Sequence, residues 1–226
     1  MRLALSVFII MLALIPSLQC QETVEDWLVN GTDLVSQGRY NESIKAFDQA
    51  IRLDSNSTLA WMSKGVALSG LGRCEEALEA YEVALSLNPG FASAWLNMGI
   101  ALDCLGRQKE ALEAYEQALR LDSNNADAWK NRGYDLAILG RYNESLEAFE
   151  EALFLDSDYP ETWGNKGNAL AALGRYDEAL EAYDEALKLD PEFAGVWYNR
   201  GLILQGLERT DEAQAAFARA EELASK

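Results

Sequence analysis

The sequence predicts an all-α solenoid of six helical hairpins, and two observations carry the prediction. All six tryptophans, Trp27, Trp61, Trp95, Trp129, Trp163 and Trp197, stand 34 residues apart, a period that helix–turn–helix repeats occupy. Glycine and leucine keep the same interval, at Gly31, Gly65, Gly99, Gly133, Gly167 and Gly201 and at Leu34, Leu68, Leu102, Leu136, Leu170 and Leu204. With tryptophan counted as position 4, the repeats run 24–57, 58–91, 92–125, 126–159, 160–193 and 194–226.

Within each unit, positions 4, 8 and 11 fall on one helical face, which defines the first helix. The glycines cost that helix about 1 kcal/mol each, so a second helix is expected to approach closely there. The tryptophans share the face and are expected to be buried between the paired helices, where truncation would cost about 3–5 kcal/mol. Gly38, Gly72, Gly106, Gly140 and Gly174 then end the first helix in a left-handed conformation, with Glu208 at that place in the last unit.

The second helix is expected to begin at once. Asn41, Asn143, Asp177 and Asp211 stand where an N-cap belongs, and each unit places a glutamate in the first turn, Glu42, Glu76, Glu110, Glu144, Glu178 and Glu212. Its buried stripe reads aromatic, alanine, leucine, for example Phe47, Ala50, Leu53 and Phe149, Ala152, Leu155. The runs 122–125 and 156–158 lack the glycine and distant glutamate of a calcium loop and read as connectors.

These residues closely resemble the tetratricopeptide repeat family: Trp at 4, Gly at 8, a small residue at 20, an aromatic at 24, Ala at 27. The resemblance spans Val24 to Lys226. Departures are local: Ser43 and Ser145 replace alanine at 20, Cys74 replaces an aromatic at 17, and only Pro89 and Pro191 keep a proline at 32. The resemblance implies a right-handed superhelix whose concave face is lined by first helices and binds extended peptides or partner helices. Some members clamp the terminal carboxylates of heat-shock chaperones. Here Lys130 and Asn165 match that set, but Tyr134, Gly195 and Asn199 do not complete it, which disfavours chaperone-tail capture.

Composition narrows function further. Nineteen basic against 37 acidic residues give a net charge of -18, a field that repels phosphate backbones and anionic lipid surfaces and excludes nucleic acid as a partner. There is no histidine, no nucleophile motif and no glycine-rich phosphate loop, so neither an enzyme nor a metal or cofactor site is expected. Recurrent acids of the second helices, such as Glu79, Glu113, Glu147 and Glu181, read as a solvated outer face.

Met1-Arg2 and the apolar run Leu3 to Ile15 read as an export signal over residues 1–20. An extracytoplasmic location follows, with membrane anchoring the alternative if the signal is retained or Cys20 is lipidated. In that setting Asn30, Asn41, Asn56 and Asn143 head glycosylation sequons. Cys74 and Cys104 fall in neighbouring repeats; the preferred reading is two small apolar fillers, with a disulfide the alternative.

Positions beside the core stripe are the candidate ligand contacts. Position 6 carries Asn97, Asn131, Asn165 and Asn199, amides able to donate to and accept from a peptide backbone. Positions 5 and 9 add Met62, Val66, Leu96, Ile100, Lys130, Tyr134 and Asn168, so the groove reads apolar in its first half and polar-aromatic in its second. Position-7 cations, Lys64, Arg132, Lys166 and Arg200, are expected to cover apolar surface and pair with carboxylates. The expected function is a noncatalytic adaptor binding a protein or peptide in the groove. The alternatives are an envelope component self-associating through its C-terminal repeat, or a co-chaperone.

Overall fold

A computed structural model describes residues 22–225. The expected export signal and Cys20 lie outside them. The described residues form twelve helices in six hairpins: α1 (Val24–Ser36) with α2 (Tyr40–Leu53), α3 (Thr58–Gly70) with α4 (Cys74–Leu87), α5 (Ala92–Cys104) with α6 (Gln108–Leu121), α7 (Ala126–Ile138) with α8 (Tyr142–Leu155), α9 (Pro160–Ala172) with α10 (Tyr176–Leu189), and α11 (Ala194–Gly206) with α12 (Thr210–Ala224). The chain is therefore an all-α solenoid.

Each hairpin turns by one device. The first helix ends with a left-handed residue, Gly38, Gly72, Gly106, Gly140 or Gly174 at φ between 71° and 75°. The amide of Arg39 returns to the Leu34 carbonyl at 2.9 Å and that of Gly38 to Val35 at 2.9 Å, which satisfies carbonyls the helix end would leave open. The last repeat makes the same turn with Glu208 at φ 60°, the only non-glycine residue at positive φ among those described.

The second helices start earlier than expected. Their N-caps are Arg39, Arg73, Arg107, Arg141, Arg175 and Arg209, none with a side-chain cap bond. Asn41, Asn143, Asp177 and Asp211 thus lie inside the helix at its second residue and are not caps. The glycine turn delivers the chain directly into the new helix, and each arginine instead grips the glutamate three residues on, as Arg39 Nε does with Glu42 Oε1 at 2.8 Å. A separate device shapes the connectors: Asp54, Asn88, Asp122, Asp156 and Asp190 each accept the amide two residues ahead, a turn that needs no metal.

The core is the meeting of aromatic and glycine. Phe47, Tyr81, Tyr115, Phe149 and Tyr183 are at most 1% exposed, and a Cβ added at Gly65 would stand 2.5 Å from the Tyr81 ring. The tryptophans are not buried to that degree. All six are half-buried; from the second repeat on, each ring sits at the hairpin edge and spans to the preceding connector. There the indole N–H of Trp61, Trp95, Trp129, Trp163 and Trp197 donates to the carbonyl six residues back at 2.9–3.0 Å.

The expected leucine stripe also shifts. Leu53, Leu121 and Leu189 are 50%, 47% and 43% exposed, whereas Leu85, Leu119, Leu153 and Leu187 are buried. Steps of three residues fall behind the helical turn by about 60° each, so position 30 has rotated off the face that position 24 buries, and position 28 takes its place.

Cys74 and Cys104 are joined in a disulfide with their Cα atoms 6.2 Å apart, which corrects the reading as separate fillers. The stacking brings the first residue of α4 beside the last residue of α5, within the narrow range of separations a disulfide spans. The bond ties the second repeat to the third.

Candidate functional site

Each second helix packs on its own first helix and on the first helix of the next repeat. First helices of consecutive repeats also touch at every junction, while second helices do not touch one another. The first helices therefore form the inner, tighter row, and their free positions line the concave wall.

The groove-lining residues expected from the sequence divide there into two groups. Met62, Val66 and Leu96 are half-buried and pack against the inter-repeat core. Ile100 and Tyr134 stand out, 41% and 50% exposed. Beyond them Ile138, Tyr198 and Leu202 are exposed on the same row. Val29 and Leu59 are exposed on the first helices of the first two repeats as well, so exposed apolar side chains run along the array, while close packing absorbs Met62, Val66 and Leu96. Ile138 was missed as a contact although position 13 belongs to the inner face.

The amides divide in the same way. Asn97 Nδ2 donates to the Ser93 carbonyl at 2.7 Å. Asn199 Nδ2 donates to Asn168 Oδ1 at 2.9 Å, and that oxygen also accepts the Tyr183 hydroxyl at 2.8 Å. Among the described residues the side-chain amides of Asn131 and Asn165 have no hydrogen-bond partner, so their donors and acceptors remain available on two successive repeats. Lys130 is engaged, with Nζ 2.6 Å from Asp127 and 4.4 Å from the centre of the Tyr159 ring. Burial pushes the hydroxyls of Tyr81 and Tyr183 up to about 12, which keeps them as donors inside the hairpins.

The position-7 cations do what their long stems suggested. Lys64, Arg132, Lys166 and Arg200 lie 5.5–5.8 Å from the tryptophan ring centres, and Lys64, Lys166 and Arg200 reach Asp48, Glu150 and Asp184 on second helices. Asn30, Asn41, Asn56 and Asn143 are all exposed.

A helical solenoid with an open groove of amides and exposed apolar side chains defines a class of repeat scaffold. Tetratricopeptide repeat models match residues 28–92, 92–125, 126–159 and 194–226, and a TPR repeat model matches 167–207; the chain belongs to the tetratricopeptide repeat family. No curated protein sequence matches it. Among solved structures it is similar to YrrB, described as a TPR protein with an unusual peptide-binding site, at 27% identity and a TM-score of 0.69 over 80% of this chain and 93% of that one. It is similar in fold to PilF of Pseudomonas aeruginosa, at 19% identity and a TM-score of 0.79 over 88% and 91%. MamA is a further fold match, at 24% identity and a TM-score of 0.68 over 71% and 94%.

Proposed function

We propose that this chain is a noncatalytic adaptor that holds an extended peptide or a partner helix in its concave groove, outside the cytoplasm. One observation carries the reading: Asn131 and Asn165 present unpaired amides beside Ile100 and Tyr134, apolar side chains that no hairpin core uses. Amides spaced by one repeat suit a peptide backbone, and exposed apolar groups on the same row suit its side chains. The likeness to a peptide-binding repeat protein supports the same use of the fold. The location rests on the leading apolar run.

The test is affinity purification from the native envelope fraction with the mature chain and with a variant carrying Ile100→Ser, Asn131→Ala, Tyr134→Ser and Asn165→Ala. A defined partner recovered by the first and lost by the second is expected. Equal recovery by a folded variant rejects the groove.

Self-association through the last repeat is the second reading. It is favoured by a depression of about 720 Å³ on α11 and α12, lined by Tyr198, Leu202, Phe217 and Ala220. Light scattering across a concentration series separates it from the first, since a monomer at every concentration contradicts it.

A further inference from the structure

From the second repeat on, position 10 of the first helix faces the preceding repeat, and Ala67, Ala101 and Ala169 fill it with at most 1% exposure. In the fourth repeat the same place holds Asp135, 0% exposed, with neither carboxyl oxygen meeting a donor. Against it from α5 comes Asp103, whose Oδ1 is buried and unpaired while Oδ2 accepts the Tyr115 hydroxyl of α6. Among the described residues no lysine or arginine pairs with either carboxyl.

Two ionised carboxylates side by side in a buried seam, with no lysine or arginine against them, are strongly disfavoured, whereas one proton between them satisfies both. A protonated Asp135 donates to Asp103, and Asp103 takes its second bond from Tyr115. The arrangement is particular to one junction. The corresponding pairs, position 12 of one repeat and position 10 of the next, are Val35 with Ala67, Ser69 with Ala101, Ala137 with Ala169, and Ala171 with Ile203. Only the junction between the third and fourth repeats, with three repeats on either side, carries two acids.

We propose that Asp103 and Asp135 share a proton in the folded chain and that this proton latches the central junction, so that its loss uncouples the two three-repeat halves of the groove. Asp103 lies one helical turn from Ile100, and Asp135 follows Tyr134, so the latch underlies an exposed apolar part of the groove. Repeats communicate only through their junctions, and weakening the central one divides the array.

The groups acting on Asp135 are few. Burial, then the hydrogen bond and charge of Asp103, push it up to about 8. Asp103 is itself raised by burial, and the Tyr115 hydroxyl is raised by burial and by both carboxyls, so it stays a donor. No charged group of α8 or α9 acts on Asp135. An unfolded aspartate releases its proton near 3.8, so between that value and about 8 the folded chain holds one proton more than the unfolded chain. The folded chain keeps the proton until pH approaches about 8, while the stability it contributes is full below 3.8, falls progressively as pH rises through this window and has no further slope above it.

Urea unfolding of the full chain, with its disulfide intact, is measured from pH 5 to pH 9 beside Asp135→Asn and Asp135→Ala, the latter restoring the alanine of other junctions. Relative to either variant, the wild-type folding constant is expected to fall by up to about tenfold per pH unit until about pH 8 and then to run parallel. Infrared spectra should show a protonated carboxyl band at pH 6 that vanishes at pH 9 and is absent from both variants. Hydrogen exchange, corrected for its intrinsic pH dependence, should rise across the same window in α5 to α8 before α1 or α12. A wild-type chain with no such band at pH 6, pH slopes equal to those of the variants, or exchange rising uniformly along the chain overturns the proposal.

Discussion

Phe149 has no exposed surface and lies against Gly133, so the glycine's missing side chain is the space the ring occupies; a Cβ there would stand 2.7 Å from the ring. Gly133→Ala is therefore expected to destabilise by about 1–3 kcal/mol, as overpacking does. Gly206 ends α11 with nothing within 4 Å of an added Cβ, and Gly206→Ala should stabilise by about 0.5–1 kcal/mol through helix propensity and chain entropy. Urea denaturation of the two variants separates close approach from propensity. Trp129 stands between these extremes, half-buried with its indole bonded to Ser123 and Arg132 over its face. Trp129→Ala is expected to cost about 2 kcal/mol, below the 3–5 kcal/mol of a fully buried ring. The regular interval announced that tryptophan was structural. It could not announce how deep the ring sits, because depth depends on the connector of the preceding repeat.

The element scale was legible where a residue type has one conformational reason. Five turn glycines marked the ends of first helices, and each adopts the left-handed conformation that favours glycine. The caps of the second helices were misread, since Asn41 and Asn143 carry cap-forming side chains and the turn geometry alone decides that Arg39 and Arg141 occupy the cap. The position-30 leucines were misplaced because a three-residue step looks like a stripe over a short count and drifts over a longer one. Glu208 makes the turn of the last repeat without glycine's freedom. Glu208→Gly should stabilise by about 0.5–1 kcal/mol, the difference between the left-handed penalty of a side chain and the entropy glycine loses. A rise in melting temperature confined to that variant, with no rise for Glu192→Gly in a connector, checks it.

Over the whole molecule the repeat register and the absence of strands among the described residues could be read from periodicity, whereas the identity of the inner row was implied by the family resemblance. The groove was legible only in part. Which amides stay free follows from long-range contacts, such as Asn199 with Asn168, that join residues 31 apart. The disulfide belongs to this scale as well, since it links repeats rather than helices of one hairpin and closes 30 residues of chain. Its reduction should lower stability by about 3–4 kcal/mol in the loop-entropy account. The loss should appear in denaturant melts with and without a thiol reductant, and Cys74→Ser with Cys104→Ser should reproduce it.

The central claim, that the concave wall receives the partner, is tested most directly by site-specific photo-crosslinking. A photoreactive side chain is placed at Tyr134 on the inner row or at Phe154 on α8, which is 86% exposed and serves as the outer-face control. Irradiation of the native complex is expected to yield a discrete covalent adduct from position 134 and none from position 154. An adduct from position 154 alone, or equal adducts from both, would contradict the account.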